Sequence, residues 1–114
     1  MATIYHNPRC SKSRQALNLL EEKGAEINVI EYLKDPPTFD QLKKIIGMLQ
    51  IKPIDLIRKG EPIYKEKYKG KNLSDDEWIS AMIETPKLIE RPIVIKDGKA
   101  TVGRPPENIN LLFD

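Results

Sequence analysis

The chain reads strand, helix, strand at its start and strand, strand, helix at its end, and this order limits the fold more than any other feature. Thr3 to His6 is a short β-prone run that stops at Asn7-Pro8, a strong turn signal. Helical spacing begins at Ser11, with Ala16, Leu17 and Leu20 grouped together and Gly24 as a left-handed stop. Ile27, Val29 and Ile30 form a second strand, broken at Asp35-Pro36-Pro37. Two strands joined through a helix need a crossover and pair in parallel. Near the other end, Ile93-Val94-Ile95 and Lys99 to Val102 flank Asp97-Gly98, a two-residue hairpin turn, so this pair is antiparallel. Pro105-Pro106 opens a terminal helix carrying Ile109, Leu111 and Leu112. An α/β fold, a mixed four-strand sheet with flanking helices, satisfies both halves.

The middle of the chain is helical. Thr38-Phe39-Asp40-Gln41 reads as a capping box, followed by Leu42, Ile45, Ile46 and Leu49 on one face. Pro53 opens a short helix with Ile54, Leu56 and Ile57, and Pro62 to Tyr68 adds a further turn. Ser74-Asp75-Asp76-Glu77 is a second capping box, leading into Trp78, Ile79 and Met82, and Thr85-Pro86 ends that helix. The stretch from about residue 38 to 85 is therefore read as a helical insertion within one domain spanning 1–114.

Composition narrows the function. A 114-residue chain can bury about two-thirds of its unfolded surface, enough for one core without staples. Nineteen basic and seventeen acidic side chains leave a net charge of +2, too balanced for a protein that binds nucleic acid by charge. One cysteine and one histidine exclude an internal disulfide and a Cys/His zinc site built from this chain alone. No apolar run approaches the roughly 20 residues of a membrane helix, and no basic-then-apolar leader opens the chain. The expectation is a cytoplasmic protein with no metal, no membrane contact and no nucleic-acid partner.

The single thiol is the chemically distinctive group. Cys10 falls where a turn meets a helix, in the polar run Asn7-Pro8-Arg9-Cys10-Ser11-Lys12-Ser13-Arg14, with no apolar stripe to join. A helix N-terminus favours a thiolate. An ordinary thiol with a pKa of about 8.5 is only about 3% ionised at pH 7, and lowering it to about 6.5 needs roughly 2.7 kcal/mol. The helix end supplies about 0.3–1 kcal/mol, and about 2 in a favourable site, so a hydrogen bond or a cation is also required. Arg9, Lys12 and Arg14 offer charge, His6 lies four residues back, and the Ser13 hydroxyl is placed to donate to the sulfur. The Cys-x-x-Cys position holds Ser13, so any redox partner is another molecule. Position 16 is Ala16, which rules out the Cys-x5-Arg phosphate cradle.

Three further arginines stand at element boundaries. Arg58 lies in Leu56-Ile57-Arg58-Lys59-Gly60, Arg91 precedes Pro92, and Arg104 precedes Pro105. A planar guanidinium grips a tetrahedral oxyanion through two parallel hydrogen bonds, so three of them beside a thiolate would make an oxyanion site. Arg91-Pro92, opening a strand after a tight turn, is a candidate cis bond expected beside Cys10.

These residues carry a resemblance along nearly the whole chain. It rests on Tyr5-His6-Asn7-Pro8-Arg9-Cys10-Ser11-Lys12-Ser13 and continues through Ile57-Arg58-Lys59-Gly60-Glu61, Pro86-Lys87-Leu88-Ile89, Arg91-Pro92-Ile93-Val94 and Gly103-Arg104-Pro105. The chain resembles the glutaredoxin-coupled arsenate reductase family, which implies a thioredoxin-like fold. The resemblance implies that Cys10 attacks arsenate, that glutathione attacks the adduct as co-substrate, that glutaredoxin resolves the mixed disulfide, and that no cofactor is bound. It implies that Arg58, Arg91 and Arg104 hold the oxyanion, that His6 tunes the cysteine and that Ser13 supports the thiolate. The best-known members carry Cys-Gly-Thr-Ser where this chain has Cys-Ser-Lys-Ser, which adds Lys12 near the nucleophile. Two other readings share the fold: a thiol-transfer enzyme acting on a glutathione adduct, and a regulator that binds a protein partner without catalysis.

Overall fold

A computed structural model describes residues 1–113. Strand β1 (Ala2–His6) leads through helix α1 (Ser11–Glu22) to strand β2 (Ile27–Glu31). Helices α2 (Phe39–Leu49), α3 (Pro62–Lys67) and α4 (Asp75–Glu84) follow, with 3₁₀ turns at Pro53–Leu56 and Pro86–Leu88. Strands β3 (Ile93–Lys96) and β4 (Lys99–Val102) precede a 3₁₀ helix at Pro106–Leu112. The expected terminal helix thus forms with 3₁₀ rather than α geometry.

The four strands lie in the order β2-β1-β3-β4. β1 pairs with β2 in parallel, placing Ile4 beside Val29, and with β3 antiparallel, placing Ile4 beside Val94. β3 and β4 form the expected hairpin. Its turn residues Asp97 and Gly98 both adopt positive φ, 52° and 76°, which is the backbone that a two-residue primed turn requires.

The backbone groups into two compact units, one comprising Met1–Asp35 with the chain from Arg91 onwards, the other Pro36–Glu90. In the first, alternate residues of the sheet face α1 and the terminal 3₁₀ helix. Ala2, Ile4 and Val94 meet Ala16, Leu20, Ile109 and Leu112 in one buried cluster. The same alternation turns His6 towards α1, where it meets Ser13. Gly103 lies in this packing because a side chain there has no room: an added Cβ would stand 3.0 Å from Pro92 Cγ and 3.4 Å from Ala16 Cβ. The Arg91-Pro92 bond is cis as expected, and Arg104-Pro105 is cis as well.

The second unit begins before the helical run read from the sequence and ends after it, because extended segments belong to it. Both capping boxes close: the Thr38 side chain accepts from the Gln41 N–H and the Ser74 side chain from the Glu77 N–H, each at 3.2 Å. Leu42, Ile45 and Ile46 of α2 and Trp78, Ile79 and Met82 of α4 are buried. Ile57 and Ile89 form an antiparallel bridge, flanked by Arg58 N–H to Leu88 carbonyl and Glu90 N–H to Leu56 carbonyl bonds, both 2.8 Å.

Two glycine substitutions separate packing from backbone entropy. Gly103→Ala should cost about 1–3 kcal/mol through overpacking. Gly47→Ala, inside α2 with open space around the new methyl group, should add about 0.5–1 kcal/mol. Urea unfolding of both variants reads the two signs directly.

Candidate active site

The sheet topology assembles a site from segments far apart in sequence. β1 ends at His6, β3 begins at Ile93 and β4 ends at Val102. Because Tyr5 pairs with Ile93 and Ile93 with Val102, these three termini share one end of the sheet. The loop carrying Cys10, the Arg91-Pro92 segment and Gly103-Arg104 therefore emerge together, tied by the Gly103 N–H to Pro92 carbonyl bond of 2.8 Å.

Cys10 is the N-cap of α1, with an extended backbone (φ −93°, ψ 122°) and partial exposure. Its sulfur makes no side-chain capping bond, so the first-turn amides act on it as oriented dipoles. Burial pushes the thiol up. The Ser13 N–H, the Arg91 guanidinium by hydrogen bonding and charge, and the Lys12 N–H outweigh it, and the net pKa lies below the ordinary thiol value. Arg104 Nη1 stands 3.9 Å from Sγ and also donates to the Arg91 carbonyl at 3.3 Å. The structure thus brings Cys10, Arg91 and Arg104 together.

The neighbours act differently from the sequence reading in two respects. The cations that act on the sulfur are Arg91 and Arg104, not the side chains of Arg9, Lys12 or Arg14. Arg14 instead donates to the Pro8 carbonyl at 2.9 Å, and Lys12 contributes through its backbone amide. The Ser13 hydroxyl, expected to point at the sulfur, is fully buried with His6 Nδ1 and accepts the Asn7 N–H at 3.0 Å. Ser13 supports the thiolate through its main chain, and His6 touches Ser13. His6 is itself buried, and its pKa is lowered, first by burial and then by the charge of Arg14, against an opposing pull from Glu31.

Arg58 belongs to the second unit. The bridge that aligns residues 57 and 89 sets Arg58 beside Glu90, and Arg58 Nη1 donates to Glu90 Oε1 at 2.8 Å. Its Nε is buried without a hydrogen-bond partner among the described residues. Asn7, which sequence reading assigns only to a turn, is buried and holds the Cys10 loop; the Asn-Pro pair signals the turn but not this bonding. No cluster of His, Cys, Asp and Glu suited to a metal occurs among the described residues, and none of their helices is long and apolar enough to cross a membrane.

A mixed sheet whose first crossover helix presents a lone cysteine at its N-terminus defines a thioredoxin-like thiol protein. Residues 5–112 match the model of the ArsC family, and the chain belongs to that family. It is 50% identical over 110 residues to the uncharacterised protein YfgD of Escherichia coli K12, covering 93% of this chain and 91% of that one. It is 47% identical over 112 residues to an arsenate reductase of Neisseria meningitidis, covering 96% of each. The solved structure of an arsenate reductase from Vibrio cholerae superposes with a TM-score of 0.93 at 46% identity, over 97% of this chain and 96% of that one.

Two measurements test this electrostatic balance. Arg91→Gln removes a cation that lowers the Cys10 pKa, so the pH midpoint of iodoacetamide alkylation should rise and the rate at pH 7 should fall roughly threefold to tenfold. An unchanged midpoint would remove Arg91 from the balance. For His6, the folded state holds a lowered pKa, so the unfolded chain takes up the proton first as pH falls. Stability should therefore drop as pH falls below about 6.5, until the folded His6 is protonated too. Urea unfolding of the wild type against His6→Gln should show this loss in the wild type alone.

Proposed function

We propose that the protein is an arsenate reductase that draws its electrons from glutathione and glutaredoxin. The observation that carries this reading is the placement of Arg104 Nη1 at 3.9 Å from the Cys10 sulfur, with Arg91 acting on the same atom. A nucleophile between two guanidinium groups suits a tetrahedral oxyanion, whose charge and geometry a guanidinium matches. The likeness to the Neisseria arsenate reductase along nearly the whole chain supports the same substrate.

In this reading the Cys10 thiolate attacks arsenic(V). A sulfur–arsenic bond forms and one arsenate oxygen leaves as water after protonation. Arg91 and Arg104 hold the remaining oxygens and offset the charge that would otherwise repel a thiolate. Glutathione thiolate then attacks the Cys10 sulfur. The sulfur–arsenic bond breaks with its electron pair passing to arsenic, which becomes arsenic(III) and takes up protons to leave as arsenite. Cys10 is left in a mixed disulfide with glutathione. Glutaredoxin removes the glutathione and restores the thiolate. No cofactor is required. Arg58, which the resemblance makes the third oxyanion arginine, lies in the second unit, paired with Glu90. Dependence on glutathione places the protein in the reducing cytoplasm.

The test is NADPH consumption with arsenate, glutathione, glutaredoxin and glutathione reductase. Arsenate-dependent turnover is expected in the wild type and should vanish in Cys10→Ser. Arg104→Ala should lower kcat/KM for arsenate by roughly tenfold to a hundredfold, the loss of one charged hydrogen-bonding partner. A folded wild type with no arsenate-dependent turnover would overturn the assignment and favour a glutathione-adduct substrate.

A further inference from the structure

The loop between β1 and α1 has to deliver Cys10 in an extended N-cap conformation, and one side chain touches that loop from within. Asn7 is only 8% exposed. Its Oδ1 accepts the Arg9 N–H at 3.0 Å, a side-chain turn that mimics a backbone turn. Its carbonyl accepts the Cys10 N–H at 3.0 Å, closing a β-turn over the same residues. Its own N–H donates to the Ser13 hydroxyl at 3.0 Å, tying the start of the loop to the first turn of α1. Pro8 reinforces this, since a residue before proline is held away from helical backbone. Three hydrogen bonds from one residue therefore span Asn7 to Ser13, the segment whose amides face the sulfur.

We propose that Asn7 is a positioning residue: through its side-chain bond to Arg9 and its main-chain bonds to Cys10 and Ser13, it holds the Cys10 sulfur against the first-turn amides of α1. The inference rests on Cys10 being the nucleophile, but not on arsenate being the substrate. Asn7 itself touches no reacting atom. Pro8 and the main-chain bond from the Cys10 N–H to the residue 7 carbonyl do not depend on the Asn7 side chain, so its loss changes the aim of the turn rather than its existence. The charged groups near the sulfur include Arg91 and Arg104, while His6 bonds the Ser13 hydroxyl and is itself under the charge of Glu31 and Arg14, and Arg14 bonds the Pro8 carbonyl.

The experiment follows iodoacetamide alkylation of Cys10 against pH in wild type, Asn7→Ala and Asn7→Ser, with urea unfolding alongside. Asn7→Ala should raise the alkylation midpoint by about one pH unit and slow the reaction at pH 7 about tenfold. Asn7→Ser, whose hydroxyl can accept the same N–H, should stay within about twofold of the wild type. A merely structural role would lower the unfolding midpoint and leave the alkylation midpoint in place, which would overturn the proposal. So would a serine variant no better than alanine. Should Asn7→Ala not fold, Asn7→Ser decides alone: a wild-type midpoint supports the proposal and a raised one sinks it. An ordinary thiol midpoint in the wild type would overturn both this role and the nucleophile. Absence of arsenate turnover beside an intact Asn7 effect would sink only the arsenate reading.

Discussion

Everything at the site depends on β1 being an interior strand, flanked by β2 and β3. It pairs in parallel with β2 on one side and antiparallel with β3 on the other. A strand with neighbours on both sides cannot slip by one residue without turning Ile4 out of the cluster it shares with Val94 and Leu20. That register places His6 towards α1 and fixes where the loop to Cys10 begins. The antiparallel pairing with β3, followed by the hairpin, then returns both Arg91 and Arg104 to the end of the sheet where β1 finishes. The hydrophobic core thus sets the distance between a thiol and two guanidinium groups separated by most of the chain.

The thiolate illustrates why no single effect suffices. Moving a thiol from ordinary to mostly ionised needs roughly 2.7 kcal/mol. A helix end gives about 0.3–1 kcal/mol in an open site, and burial acts against the charge. The net pKa of Cys10 is nonetheless lowered, by the Ser13 and Lys12 amides and by the Arg91 guanidinium through both hydrogen bonding and charge. The amides cost no side-chain ordering, because α1 has already fixed them.

What is local in this protein was legible in its sequence. Both capping boxes, the Asp97-Gly98 hairpin, and the parallel first and antiparallel last strand pairs follow from interactions within a few residues, or from connection rules that leave few alternatives. The position of Cys10 at the start of α1 is local too. The source of its activation is not. Arg9, Lys12 and Arg14 are neighbours in sequence, yet Arg9 lies in the turn before α1 and Lys12 and Arg14 point along different directions from the helix, where Arg14 finds the Pro8 carbonyl. Arg91 reaches the sulfur only because β1 and β3 pair. Likewise the Ser13 hydroxyl is drawn inward by His6, a contact created by the packing of α1 on β1 and invisible to spacing alone. The salt bridge of Arg58 and Glu90 follows from a single bridge between two extended residues, a pairing that no local signal announces.

Ser13 also bears on where the chain could have stored reducing equivalents. It occupies the place where a dithiol protein would keep its second cysteine, but it is completely buried and its oxygen is committed to His6 and to the Asn7 amide. A group held in that way builds the turn that carries the nucleophile. It carries no sulfur with which Cys10 could close a disulfide. The position that could have stored reducing equivalents instead stabilises the geometry of the one thiol the chain has. A single cysteine cannot close a disulfide within the chain, which is why the proposed reaction ends each turnover on a thiol supplied by another molecule.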